Sequence, residues 1–155
     1  MREGWTSLKR YYKILIIPAV IIIIAGIFSG FNEQSYDQTV ENLLKERTSI
    51  LQKAYYGKIE IENAEILLGG IETYPLLAED IQGLRNADPS QMDIVKSMEF
   101  IDMTQTMKMF DYISYNTVIR WNMSGLSADY ISDNKYSVVI KSTNNGYMLS
   151  EFNAI

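Results

Sequence analysis

The 155-residue chain has no cysteine and no histidine. The first absence excludes disulfides, thiol nucleophiles and thiolate metal ligands. The second removes imidazole acid–base chemistry, and the two together exclude Ser-His-Asp triads and every ordinary zinc site. Proline stands only at positions 18, 75 and 89, and the nine glycines never form G-x-G-x-x-G, G-x-x-x-x-G-K-[ST] or G-x-S-x-G. Nucleotide binding and α/β-hydrolase chemistry therefore have no motif to stand on. With 47% hydrophobic and 21% charged residues, the composition is that of a packed globular protein, and the length allows one ordinary domain with a short appendage.

One apolar run dominates the N-terminal region. No charged residue occurs from Ile14 to Asn32, and Lys13 and Glu33 bound the stretch. Nineteen residues rising about 1.5 Å each span about 28 Å, close to the hydrocarbon thickness of a bilayer, so the run is expected to cross as one helix. Arg2, Lys9, Arg10 and Lys13 precede it, and the next basic residue is Lys45. This asymmetry places the N-terminus in the cytoplasm and exports the remainder. Trp5, Tyr11 and Tyr12 then lie at the height of the inner headgroup belt, with Arg10 and Lys13 beside them. A cleaved signal peptide is the rival reading, but the run exceeds the usual apolar length and no Ala-x-Ala pair follows. The sequence thus divides into a basic tail (1–13), a span (14–32) that meets lipid through Ile14 to Phe31, a membrane-proximal helix (33–57) and an extracytoplasmic remainder (58–155). Residues 1–31 hold four basic groups against one acidic, leaving ten against eighteen, a net of −8, for the exported part. An acidic domain lacks the basic face that nucleic acid and anionic lipid headgroups both require.

Beyond the span, helices precede strands, which predicts an α+β domain. Tyr36, Val40, Leu43, Ile50 and Ala54 fall at helical spacing, widened by Leu44, Leu51 and Tyr55, and Gly57 is placed to end that helix. Arg47 interrupts the stripe, and too few heptads follow for a coiled coil, so the helix is expected to pack on its own domain. Ile61, Ala64, Leu68 and Ile71 predict a second helix, stopped by Gly69-Gly70. Leu77, Ile81 and Leu84 predict a third that starts beside Pro75. From Met107 to Met123 the apolar residues share one parity (Met107, Met109, Ile113, Tyr115, Ile119, Trp121, Met123), which predicts a strand too long to be regular, with a break or bulge near Asp111. Val95 to Met103 reads as a weaker strand. Tyr136–Lys141 and Tyr147–Phe152 flank a tight turn at Asn145-Gly146, and Asp133-Asn134 signals another turn. The expected product is a helical layer on a meander of four or five antiparallel strands.

Chemistry-bearing residues are few. Glu60, Glu62, Glu65, Glu72, Glu79 and Asp80 read as a solvated acidic helix face rather than a paired-carboxylate site. The acidic spacings do not match a calcium loop, so no metal or cofactor is expected. The strand half is rich in aromatics, most of them core and cross-strand pairs, with Tyr112 and Tyr130 the expected exposed members of a partner or ligand surface.

A basic tail, one span, then helices leading into an antiparallel meander resembles the cystatin-like or nuclear-transport-factor-like subunits of conjugation systems. The stretch YYGKIEIENAEILLGGIETYPLLAEDI, Tyr55 to Ile81, is similar to small membrane-anchored proteins of unknown function from Gram-positive anaerobes. These resemblances imply a bacterial single-pass membrane protein with a cystatin-like or nuclear-transport-factor-like domain. The expected function is a non-enzymatic binding or assembly module, acting through a protein partner or self-association and recruiting a strand at the free sheet edge. The alternative is a membrane-tethered sensor or carrier holding a small apolar ligand between helices and sheet, lined by Met98, Met103, Met107, Met109 and Met123.

Overall fold

Three amphipathic helices and four strands account for the described part of the chain. The computed structural model describes residues 35–88, 92–125 and 127–155. The expected tail, the span, and Trp5, Arg10, Tyr11, Tyr12 and Lys13 lie outside them. Among the described residues no helix is long and apolar enough to cross a membrane.

Helix α1 (Tyr36–Tyr55) buries Val40, Leu44, Ile50 and Ala54, the residues its periodicity selects. It ends as the sequence predicts. Gly57 sits at φ 64°, Lys58 N–H donates to the Lys53 carbonyl at 2.8 Å, and Gly57 N–H donates to Ala54 at 3.0 Å, the paired bonds of a Schellman cap. Helix α2 (Ile61–Leu68) and helix α3 (Leu76–Asn86) bury Ala64, Leu68, Leu76 and Leu84. A bidentate contact of Arg85 with Glu65, at 2.6 and 2.8 Å, links α2 and α3 at the surface.

The sheet is an antiparallel meander in the order β1-β2-β3-β4, built from β1 (Ile94–Met109), β2 (Tyr112–Ser124), β3 (Asp129–Thr143) and β4 (Gly146–Ala154). One face is apolar and covered in part by the helices. Ile113, Tyr115, Ile119, Val138, Ile140 and Leu149 pack there with Val40, Leu44 and Leu76 in one core cluster. The C-terminal half of α1 forms a second cluster with α2 and α3, through Ile50, Ala54, Ala64, Leu68 and Leu84. The helix pattern therefore serves two cores, one at each end of α1.

Two strand expectations are corrected. The break near Asp111 is a full chain reversal: Met109 pairs with Tyr112, and Phe110 and Asp111 form the tip. A two-residue turn puts residues i and i+3 on the same face, so parity does not carry through it. Met107 and Met109 consequently lie on the far face with Ser114 and Tyr112, opposite the face of Ile113 and Tyr115. The expected turn at Asp133-Asn134 is absent, and β3 runs straight through. Asp133 accepts both guanidinium bonds of Arg120 across the strand pair, each at 2.8 Å, so its carboxylate is not free to fold the local backbone.

β1 is a free edge, and it departs from regular pairing three times, between Val95 and Ser97, Phe100 and Asp102, and Gln105 and Met107. At the second bulge the buried Thr117 of β2 donates its hydroxyl to the Asp102 carbonyl at 2.8 Å. Bulges and the charges of Lys96, Glu99, Asp102 and Lys108 are the devices that keep an edge strand from pairing with another chain. The opposite edge is shielded in part: the segment after α2 bonds to Leu149 of β4 through Thr73 N–H and the Ile71 carbonyl, both at 2.8 Å.

Candidate functional groove

Helix α1 covers only part of the apolar sheet face, because its C-terminal half leans on α2 and α3. What it leaves open is a trough at the start of β1 and the end of β2. Two clamps hold α1 there. The Gln52 side-chain amide donates to the Val95 carbonyl at 3.1 Å and accepts from Val95 N–H at 3.2 Å, so it completes the strand-like pairing of β1. Tyr56 donates its hydroxyl to the Met92 carbonyl at 2.9 Å.

The trough encloses about 280 Å³ between Leu51 and Tyr55 of α1, Tyr56 just after it, and Val95, Trp121 and Met123 on the sheet. A second depression of about 290 Å³ shares Val95, Trp121 and Met123 and runs on across Tyr130, Ser132, Asn134 and Tyr136 of β3. The two are continuous through those shared residues and form one apolar, aromatic channel open to solvent. Its floor is rigid. Trp121 donates its indole N–H to the Tyr136 hydroxyl at 3.0 Å and meets that ring edge-on, and Tyr136 stacks on Phe152 at 4.4 Å between centroids. On the outer flank of Gln52 lies a more polar hollow of about 400 Å³, bordered by Lys45, Lys53 and Lys58.

At the inner end of the channel stands a buried charge cluster. Arg47 makes bidentate bonds to Asp80 at 2.6 and 2.7 Å, and its Nε lies 3.2 Å from Glu72 Oε1. Its guanidinium also rests 5.0 Å from the centre of the Phe152 ring. The Glu72 side chain is fully buried, and neither of its oxygens has a partner in good hydrogen-bond geometry. One guanidinium thus faces two carboxyl groups. Burial first, then the neighbouring Asp80, push the Glu72 carboxyl up to about 8, against the opposing pull of Arg47, so it is mainly protonated at neutral pH. The same burial, reinforced by Asp80, raises the Tyr55 phenol.

This cluster corrects the reading of a solvated acidic face. Glu79 is exposed as expected, but Glu72 and Asp80 are buried at 1% and 9% exposure. The visible signal was Arg47 itself, a cation in a slot of the α1 stripe that geometry turns inward, which demands a buried counter-charge. Glu72 is closed to any substrate, and Asp80 is saturated by Arg47. Among the described residues no group of three or more acidic, histidine or cysteine side chains could hold a metal ion.

The two tyrosines singled out from the sequence are both exposed, Tyr112 at 39% and Tyr130 at 43%, but they do not share a surface. Tyr130 pairs with Met123 and lies in the channel, where it donates to Asp93 Oδ2 at 2.7 Å, a bond that raises its phenol pKa. Tyr112 pairs with Lys141 on the far face, with the Lys141 ammonium 5.3 Å from its ring centre. Of the five methionines expected to line a ligand cavity, Met98 and Met103 pack against the core, Met123 lines the channel, and Met107 and Met109 are exposed at 48% and 54%. Sequence reasoning missed Trp121, Tyr136 and Val95 as channel residues, because parity gives a residue's face but not where a helix stops covering it.

No family model matches the sequence, and no characterised protein matches it at the level of sequence. The fold does have a structural relative. The crystal structure of the intermembrane-space region of the chloroplast protein ARC6 superposes with a TM-score of 0.50 at 12% identity, covering 76% of this chain and 95% of that one. This likeness defines the class, a three-helix layer on a four-stranded antiparallel sheet, and extends to the fold alone.

Proposed function

We propose that the chain is a single-pass membrane protein, its N-terminus cytoplasmic, whose extracytoplasmic α+β domain is a non-enzymatic binding module. The module holds an apolar, extended stretch of a partner protein in the channel between α1 and the sheet. The observation that carries this reading is the continuous aromatic trough from Tyr55 through Trp121 to Tyr130, apolar along its floor, held rigid by side-chain hydrogen bonds and left uncovered by the helices. Rigid aromatic anchors with a few polar groups at the rim are the anatomy of a recognition site.

Two further observations bear on how a partner would dock. The bulged, charged β1 edge and the shielded β4 edge disfavour recruitment of a partner strand, so the face of the sheet is the better surface. The channel is open along its length, which suits a chain passing through it better than an enclosed small molecule. A small apolar ligand in the same trough is the second reading, favoured by the apolar lining at Leu51, Val95 and Met123. The architectural resemblance to subunits of conjugation systems makes a neighbouring envelope subunit the expected kind of partner.

The test is purification of the full-length chain from its own membranes as wild type, as Trp121→Ala and as a far-face control, Asn116→Ala. The proposal expects a stoichiometric protein with the wild type and with Asn116→Ala, lost with Trp121→Ala. Retention of the same protein by Trp121→Ala refutes the channel, and a copurifying small molecule in place of a protein establishes the second reading.

A further inference from the structure

The β1–β2 hairpin ends in a tip tied to β3 by one backbone bond, Ser142 N–H to the Asp111 carbonyl at 2.6 Å, whose apolar side chains belong to neither core. Phe110 is 91% exposed and holds φ 52°, the left-handed region that side chains with a Cβ rarely adopt. Met107, Met109 and Tyr112 flank it, exposed at 48%, 54% and 39%. Register places those three on the same far face of the hairpin. A bulky aromatic in a position suited to glycine, beside two methionines and far from either core, is a strained feature retained without a packing reason, and such features concentrate at functional sites.

The direction of α1 says what lies opposite the tip. Tyr56 bonds near Met92, Gln52 clamps Val95, and Lys45 rests over Phe100 at 5.4 Å, so α1 runs antiparallel to β1 and its N-terminal end points the same way as the hairpin tip. From Lys45 back to Tyr36 the helix covers about 13 Å. Over the same direction β2 covers about 23 Å from Ile119, the partner of Phe100, to Tyr112. The tip therefore overhangs the helix start by about 10 Å. Only four residues, Asn32 to Ser35, link Phe31, the end of the apolar run, to Tyr36, a reach of at most about 17 Å over five Cα steps. If the apolar run is embedded in a bilayer, the tip is within reach of the surface of that bilayer.

We infer that the Met107–Tyr112 tip seats in the headgroup layer of the membrane that anchors the chain, with Phe110 as its apolar anchor. The chemistry fits that occupant: an aromatic and two flexible thioethers enter the acyl boundary, while Tyr112, under the Lys141 ammonium, matches the amphipathic groups that favour the interface. This second contact would fix the domain's orientation on the bilayer and hold the channel, at the other end of the sheet, away from lipid. The inference rests on the membrane-anchor part of the proposed function and not on the channel.

The natural chain has no cysteine, so a single introduced one labels a single site. Full-length Met107→Cys, Ile131→Cys and Val20→Cys, each carrying an environment-sensitive fluorophore, are reconstituted in phosphatidylcholine vesicles containing a lipid-borne nitroxide quencher. Val20 reports the anchor, Met107 the tip, and Ile131, an exposed apolar residue 67% accessible near the opposite end of the sheet, the background. The inference expects quenching at Val20 and Met107 but not at Ile131, with Phe110→Asp removing the Met107 quenching while that at Val20 persists. Quenching at Val20 without quenching at Met107 overturns the tip and leaves the anchor standing. A Met107 probe that is shielded, unquenched by lipid and released on dilution marks a contact with another copy and also overturns it. If Val20 is not quenched, the anchor reading itself fails and the inference, which rests on it, falls with it.

Discussion

Glu72 makes the stability of this domain depend on pH in the direction opposite to ordinary acid denaturation. Its carboxyl ionises near 4.5 in the unfolded chain and at about 8 in the folded one. Below about pH 4.5 both states hold the proton and the group contributes nothing to the pH dependence. Between the two values the unfolded state has released the proton that the native state keeps, so unfolding becomes easier as pH rises. The slope has a ceiling of about 1.4 kcal/mol per pH unit, which bounds the whole loss at about 5 kcal/mol. Above about pH 8 both states are ionised and the loss is complete. For a domain of this size each kcal/mol shifts the midpoint by about 4 °C, so a loss of even half the bound lowers the melting temperature by about 10 °C between pH 5 and pH 8. The assay is thermal unfolding of the full-length chain in detergent, followed by near-ultraviolet circular dichroism across that interval, for wild type and Glu72→Gln. The amide reproduces the protonated carboxyl in shape and cannot ionise. Glu72→Gln should therefore match wild type at pH 5, exceed it at pH 8 and show little slope between. A wild-type midpoint that stays level or climbs from pH 5 to pH 8, with Glu72→Gln following it, refutes the assignment of a retained proton. On the acid side Asp129 and Asp133, held down by Lys96 and Arg120, and Glu65, held down by Arg85, give the usual loss as pH falls below the carboxylate range. The maximum is thus expected near pH 5.

Arg47→Met leaves Asp80 and Glu72 buried without their cation and should cost about 3–5 kcal/mol in urea unfolding at pH 7, whereas the added change Glu72→Gln should recover part of it by removing one of the two acids. Phe110→Gly relieves a left-handed backbone and should stabilise the domain by about 1 kcal/mol in the same assay, while weakening the proposed contact with lipid. A stability gain coupled to a loss of membrane contact would separate strain from function at that residue. Trp121→Ala should abolish partner recovery, and its separate structural cost is read from the urea midpoint.

Much of the framework was legible from residue periodicity, because burying an apolar stripe or an alternating face is what each element is for. Val40, Leu44, Ile50 and Ala54 predicted α1, Gly57 its end, and Ile113, Tyr115 and Ile119 the core face of β2. Errors came where a local signal competed with a distant partner. Asp133-Asn134 carries turn chemistry, but Arg120 claims the carboxylate across the sheet. Met107 and Met109 obey the parity of Ile113 in the linear sequence, but the tip at Phe110-Asp111 reverses the chain and turns them to the other face. The channel was partly legible: Tyr130 was singled out, whereas Trp121 and Tyr136 read as core. Their partial exposure depends on where α1 is held by Gln52 and Tyr56, contacts between residues some forty positions apart in sequence. Arg47 was noticed as an interruption, but only tertiary structure joins it to Asp80, 33 residues away.

The most direct test of the central claim is photo-crosslinking in the living cell from two positions of the full-length chain, Ser132 in the channel and Asn116 on the far face of the same sheet. The account predicts a discrete protein adduct from Ser132, absent from Asn116 and lost when Trp121→Ala is added. Equal adducts from both positions, or a Ser132 adduct indifferent to Trp121→Ala, would contradict the channel as the binding site.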